Sequence, residues 1–181
     1  MSEAEYALGY HCGITFAGLK AASLFRIDRE AFRALADVRF CFAKRGFRFA
    51  VIGRSGGKDL LYVFHLPRLQ EILFDESNAD FLRSCGYAYR SVGEALLQLR
   101  CRLCGGAGFP HEIGVFLGYP LDDVLGFIRG DRERECLAGY WKVYSEPEKK
   151  ARLFAKYRRC SECICSKLRE GKTLATIFRV I

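Results

Sequence analysis

Apolar residues recur along the chain with two different periods, and each change of period predicts an element. Ile27, Ala31, Leu35, Val38 and Phe42 share one helical face, which predicts a helix from a cap at Asp28 to about Arg45, stopped by Gly46. The period then shortens, and FRFAVIG and DLLYVFH read as two strands joined by the hairpin loop RSGGK. That loop is no phosphate loop, because Asp59 follows Lys58 where Ser or Thr would be needed. Pro67 opens a short helix, LPRLQEILF, and ESNADFLRSCG reads as another, ending at Gly86. Ser91 and Glu94 form a capping box for a helix to about Cys104, after which CGGAG breaks the chain. LAGYWKVY reads as a further strand. Ser145 with Glu148 caps a long basic helix whose stripe is Ala151, Phe154, Tyr157, Ser161, Ile164 and Leu168, ended by Gly171.

One stretch, FPHEIGVFLGYPLDDVLGFI at 109–128, admits two readings. Pro110 suits a first helical position, Gly118 ends that helix, and Pro120, Asp122 and Asp123 start another, which predicts a helical hairpin. The alternative is a strand, HEIGVFLG, with His111, Ile113, Val115 and Leu117 on one face. With the hairpin favoured, the chain is expected to be one α+β domain over 1–181. It would hold a small antiparallel sheet of three or four strands, covered by helices and closed by the long C-terminal one.

Composition narrows the class of protein. The chain has 181 residues, half of them hydrophobic, so a globular core is expected. MSEAEYALGYHC carries no basic leader and no apolar run approaches a membrane span, so the expected location is cytoplasmic. Nine cysteines, an odd number without an export signal, predict reduced thiols. The net charge is +8, and residues 129–172, with thirteen Lys/Arg against seven Asp/Glu, carry +6 of it. Such a surface suits an anionic small molecule, an acidic protein partner or, less well, nucleic acid.

Several residues are candidates for chemistry. His111 and Glu112 resemble the start of a zinc-protease motif, but Val115 stands where the second histidine is required. Cys12 precedes GITFAGLK, and a cysteine at a helix start is activated by the helix N-terminus, with His111 as base and Glu112 assisting. Cys101 and Cys104 in CRLC, with Cys160 and Cys163 in CSEC, are weak candidates for a four-thiolate metal site. Each of these pairs lies within an expected helix, where i and i+3 share a face in any case. In GYWKVY, Tyr140, Lys142 and Tyr144 share one face and Trp141 and Val143 the other. Aromatics beside lysine stack on planar anions such as a flavin, a tetrapyrrole or a base. A helix-turn-helix role for the hairpin is opposed by Asp122 and Asp123, which Arg129 alone would offset.

Four motifs, CGITFAGLKAASLF, FPHEIGVFLGYPLDDVLGFI, AGYWKVY and FAKYRRC, together resemble an uncharacterised family of small proteins from anaerobic bacteria, known as a domain of unknown function. The matching positions are Cys12, Lys20, His111, Glu112, Tyr119, Pro120, Trp141, Lys142 and Cys160. The resemblance implies a redox or iron setting and brings no assigned activity. The leading expectation is therefore a cytosolic ligand-binding or accessory protein of anaerobic redox or iron metabolism. Its ligand would be met by Lys20, Tyr119, Tyr140, Trp141 and Lys142, and its partner would be an acidic redox protein such as a flavodoxin, with no membrane. The alternatives are a cysteine-dependent hydrolase or transferase using Cys12, His111 and Glu112, and a nucleic-acid-binding module.

Overall fold

A computed structural model describes residues 2–105, 108–130 and 132–180. Gly106 and Ala107 of the CGGAG break lie outside the described residues. In chain order the elements begin with helix α1 (Glu3–Phe16), strand β1 (Ala22–Ile27), helices α2 (Arg29–Ala34) and α3 (Ala36–Ala43), and strands β2 (Phe47–Ser55) and β3 (Lys58–His65). Helices α4 (Leu66–Phe74), α5 (Glu76–Ser84), α6 (Val92–Cys104), α7 (Ile113–Phe116) and α8 (Leu121–Arg129) follow. The chain closes with strands β4 (Leu137–Ala138) and β5 (Lys142–Val143) and helices α9 (Pro147–Arg169) and α10 (Leu174–Phe178). The fold is α+β. It divides into two compact units, residues 1–68 with 159–181, and residues 69–158.

In the first unit β1, β3 and β2 form an antiparallel sheet in that order. Gly56 and Gly57 take left-handed φ of 57° and 79°, as a two-residue hairpin between right-twisted strands requires. One extra residue, Ile52, bulges β2 between Val51 and Gly53. One face of the sheet presents Phe25, Phe47, Leu61 and Val63, which form a core with Leu8, Cys12 and Phe16 of α1, Ile164 and Leu168 of α9, and Leu174 of α10. Ser2 caps α1, its hydroxyl accepting the Glu5 amide at 3.1 Å. Gly9 and Gly13 let α1 approach α9 closely: a Cβ at either would stand 2.4 Å from Leu168 Cδ1 and 2.8 Å from Ile164 Cδ1, respectively.

Neither α1 nor β1 is among the elements expected from periodicity. Two glycines within GYHCG hide the helical stripe by lowering its propensity, although their role is packing. The sheet's third strand is thus Ala22–Ile27, and LAGYWKVY folds apart from it as the two-residue strands β4 and β5. The expected helix over 29–45 is two helices broken at Leu35. Asp28 makes no side-chain cap there, its carboxylate instead meeting Lys58 at 2.8 Å.

In the second unit the Ser91 half of the capping box forms, its hydroxyl accepting the Glu94 amide at 3.2 Å, while the Glu94 carboxylate reaches one residue further back and accepts the Arg90 amide at 2.7 Å. Residues 109–128 form the helical hairpin, not a strand, but its first helix is short and begins at Ile113, three residues after Pro110. Ser145 does not cap α9. The helix begins at Pro147, Glu146 takes a left-handed φ of 46°, and its carbonyl accepts the Lys150 amide at 3.2 Å.

Leu168 is fully buried where α9 meets α1 and α10. Leu168→Ala is expected to cost about 2–5 kcal/mol, read as a lower urea midpoint with an unchanged m-value.

Candidate functional site

The hairpin and the aromatic motif meet at one carboxylate. Asp123, in the first turn of α8, is 1% exposed. Its Oδ2 accepts the Trp141 indole N–H at 2.8 Å and the Lys150 ammonium at 3.2 Å. Its Oδ1 accepts the backbone amides of Tyr144 at 2.8 Å and Ser145 at 3.2 Å. Lys150, 4% exposed, also donates to the Ser145 carbonyl at 2.8 Å and hydroxyl at 2.7 Å. Both buried charges are therefore paired and hydrogen-bonded, which is the condition for burying them at all. Gly126 makes room for Tyr144, whose ring a Cβ would meet at 2.4 Å, and Gly114 makes room for Val124 at 2.8 Å. Gly114 and Gly126 are thus explained by close packing, Gly118 by its left-handed φ of 74° and Asp123 by its buried hydrogen bonds.

With Trp141 turned inward and 9% exposed, the hairpin turns Tyr140 outward at 38%. Tyr140 lines a groove of about 400 Å³ with Gly139, Ala151, Phe154 and Arg158. Phe154 closes on Gly139, where a Cβ would stand 2.5 Å from its ring. The Tyr140 ring lies 5.4 Å from that of Phe154 and 5.1 Å from that of Tyr157. Of the residues expected to bind a ligand, Tyr140 is the one that lines this groove. Tyr119 stacks on Trp141 at 4.7 Å, and burial pushes its phenol up to about 12. Lys142 pairs with Glu135 at 2.7 Å. Arg158 and Phe154 also line the groove, where the helical stripe marks Phe154 as core and Arg158 as one more basic residue.

His111 and Glu112 border a second cavity in the same unit, of about 370 Å³. His111 is exposed, its ring 5.1 Å from that of Phe127. Glu112 is buried, and its Oε1 accepts the Tyr87 hydroxyl at 3.1 Å, with Arg102 Nη1 at 3.5 Å. Burial, and then the Glu112 carboxylate, push both the Tyr87 hydroxyl and the Cys85 thiol above their ordinary values. No sequence motif links Tyr87, Arg102 and Glu112, which separate elements bring together.

Cys12 departs from its expected setting. It lies in the third turn of α1, far from the helix start, and is fully buried in the apolar core of the first unit. Burial raises its thiol well above the ordinary value, against the attraction of Lys20 and a hydrogen bond with Ser23. A thiolate is disfavoured there, where a nucleophile needs one. Burial pulls Lys20 down to about 8, opposed by Cys12. Cys101 and Cys104 are exposed on α6, while on α9 Cys160 is half-buried and Cys163 exposed. Among the described residues no group of three or more His, Cys, Asp or Glu could hold a metal ion. On α8 the outward side chains are Asp122, Phe127, Ile128 and Arg129, short of the cations that phosphate contacts need.

Lys150→Met leaves the Asp123 carboxylate buried without its cation, an expected loss of about 3–5 kcal/mol. The lone tryptophan beside it should report this as a lower unfolding midpoint, read from the red shift of its emission. Lys20 titrates lower in the folded chain than its ordinary 10.5, so folding releases its proton between about 8 and that value. The stability of the natural chain relative to Lys20→Met should therefore rise with pH across that window, as read from urea midpoints.

The model of a family described as protein of unknown function (DUF3793) matches residues 8–178, and the chain belongs to that family. No curated protein and no solved structure matches it. Among the described residues no helix is long and apolar enough to cross a membrane.

Proposed function

We propose that the chain, as a member of this family, is a ligand-binding protein whose ligand is a planar anion held between Tyr140, Phe154 and Arg158. The groove itself carries the proposal. Its volume falls among those of small-molecule sites, two aromatic rings, Tyr140 and Phe154, stand in its otherwise small and apolar wall, and an exposed guanidinium stands at its edge. Aromatic faces hold a flat ring system, and arginine pairs with a carboxylate or phosphate through two parallel hydrogen bonds. Flavins and tetrapyrroles carry both features, and they agree with the redox or iron setting that the motifs imply. Another face of α9 supports a second role, docking an acidic electron carrier such as a flavodoxin. Lys149, Arg152 and Lys156 are exposed at i, i+3 and i+7 along α9.

Flavin mononucleotide and haem are the probes. One of them should bind saturably, and Arg158→Ala should weaken it by roughly tenfold or more, the worth of a hydrogen bond between charged groups. Tyr140→Ala should weaken it further. The loss of ammonium contacts at high salt would separate partner docking from ligand binding, since only the former should fade steeply. If neither probe binds, the proposal for this groove fails.

A further inference from the structure

The cavity beside His111 and Glu112 shares no lining residue with the aromatic groove, and its chemistry differs. Two opposite charges stand side by side at its wall. Glu112 is nine-tenths buried, and its carboxylate lies 3.5 Å from Arg102 Nη1. That is longer than a bond between a guanidinium and a carboxylate in contact, about 2.7–2.9 Å. The two groups are neighbours without being closed on each other, so each keeps capacity for a further partner.

Their positions are held by other contacts. Arg102 Nη2 donates to the Cys85 carbonyl at 2.6 Å, and its guanidinium carbon sits 4.3 Å from the centre of the Tyr87 ring. The Tyr87 hydroxyl in turn donates to Glu112. The charges are thus set in place before any ligand arrives, which lowers the ordering cost of binding. Beside His111 and Cys85 the remaining wall is mainly apolar: Phe81, Phe109 and Ile128 line it, the last two 56% and 43% exposed.

We propose that this cavity binds a free α-amino acid with an apolar side chain. A zwitterion places a carboxylate and an ammonium about as far apart as the two groups of the site. Its carboxylate would meet Arg102 and its ammonium Glu112, while the side chain covers Phe109 and Ile128. A simple anion would sit against Glu112 and a simple cation against Arg102, so each single charge is opposed by a like one. The pairing of signs, with an apolar wall beside it, is what selects the zwitterion.

Calorimetric titration of the full chain with L-leucine, L-methionine and L-phenylalanine tests this. At least one should bind saturably in the millimolar range or tighter. 4-Methylpentanoate and 3-methylbutylamine, each lacking one of leucine's charges, should bind roughly 100-fold more weakly, because the remaining charge then faces a like charge of the site with nothing to offset it. Phe109→Ser alters an exposed side chain, so thermal unfolding of the free protein should not change while amino-acid affinity falls. Glu112→Gln should abolish binding, but it also touches Tyr87, so the ligand series on the natural chain decides. The proposal is overturned if no apolar amino acid binds, if the acid or amine alone binds as tightly as leucine, or if Phe109→Ser leaves affinity unchanged.

Discussion

A carboxylate removed from water must fill its lone pairs with donors, and much of the second unit follows from how Asp123 does so. Its donors are the indole of Trp141 just before β5, the Tyr144 and Ser145 amides just after it, and Lys150 in α9, so one residue of α8 holds the whole stretch 141–150. The Trp141 indole is drawn inward while its neighbour Tyr140 in the turn stays exposed, both rings meeting Phe154 and Tyr157, and the groove opens beside Tyr140. Glycines at 114 and 126 are a further consequence, since α8 cannot otherwise come near enough for the hydrogen bonds to form.

Two carboxylates of the second unit illustrate different uses of charge. Around Asp123 every partner is within ordinary bonding distance and the network is closed, as expected of charges that hold a fold together. Around Glu112 the pair is held open by Tyr87 and the Cys85 carbonyl. Closed networks suit stability, whereas an open pair in a walled cavity retains unspent capacity for recognition. Cys12 and Lys20 form a third case, in which burial moves both groups towards their neutral forms, the thiol up and the amine down.

Much of the fold is legible in the amino-acid order where local signals agree. The Gly56–Gly57 hairpin, the Ser91–Glu94 box, the helical hairpin and the Gly171 stop each rest on residues a few positions apart. Reading failed where the decisive partner is distant. α1 is hidden because Gly9 and Gly13 make sense only beside Leu168 and Ile164. Ser145 has the look of a cap, yet Lys150 claims its hydroxyl because Asp123 has already drawn that ammonium inside. The site divides in the same way. Tyr140, His111 and Glu112 can be singled out from sequence, but Arg102, Tyr87 and Arg158 gain meaning only from long-range contacts.

The first unit is assembled from both ends of the chain, and this bears on the order of events during synthesis. Glu5 is buried in α1, and its carboxylate accepts the amide of Leu174, 169 residues later, at the start of α10. Translation runs from the N-terminus, so every residue of 69–158 has left the ribosome's catalytic centre before that amide exists. The inserted unit is contiguous and has all its parts early. The sheet and α1 must wait, with a charged group and an apolar stripe uncovered, for the last stretch of chain to cover them.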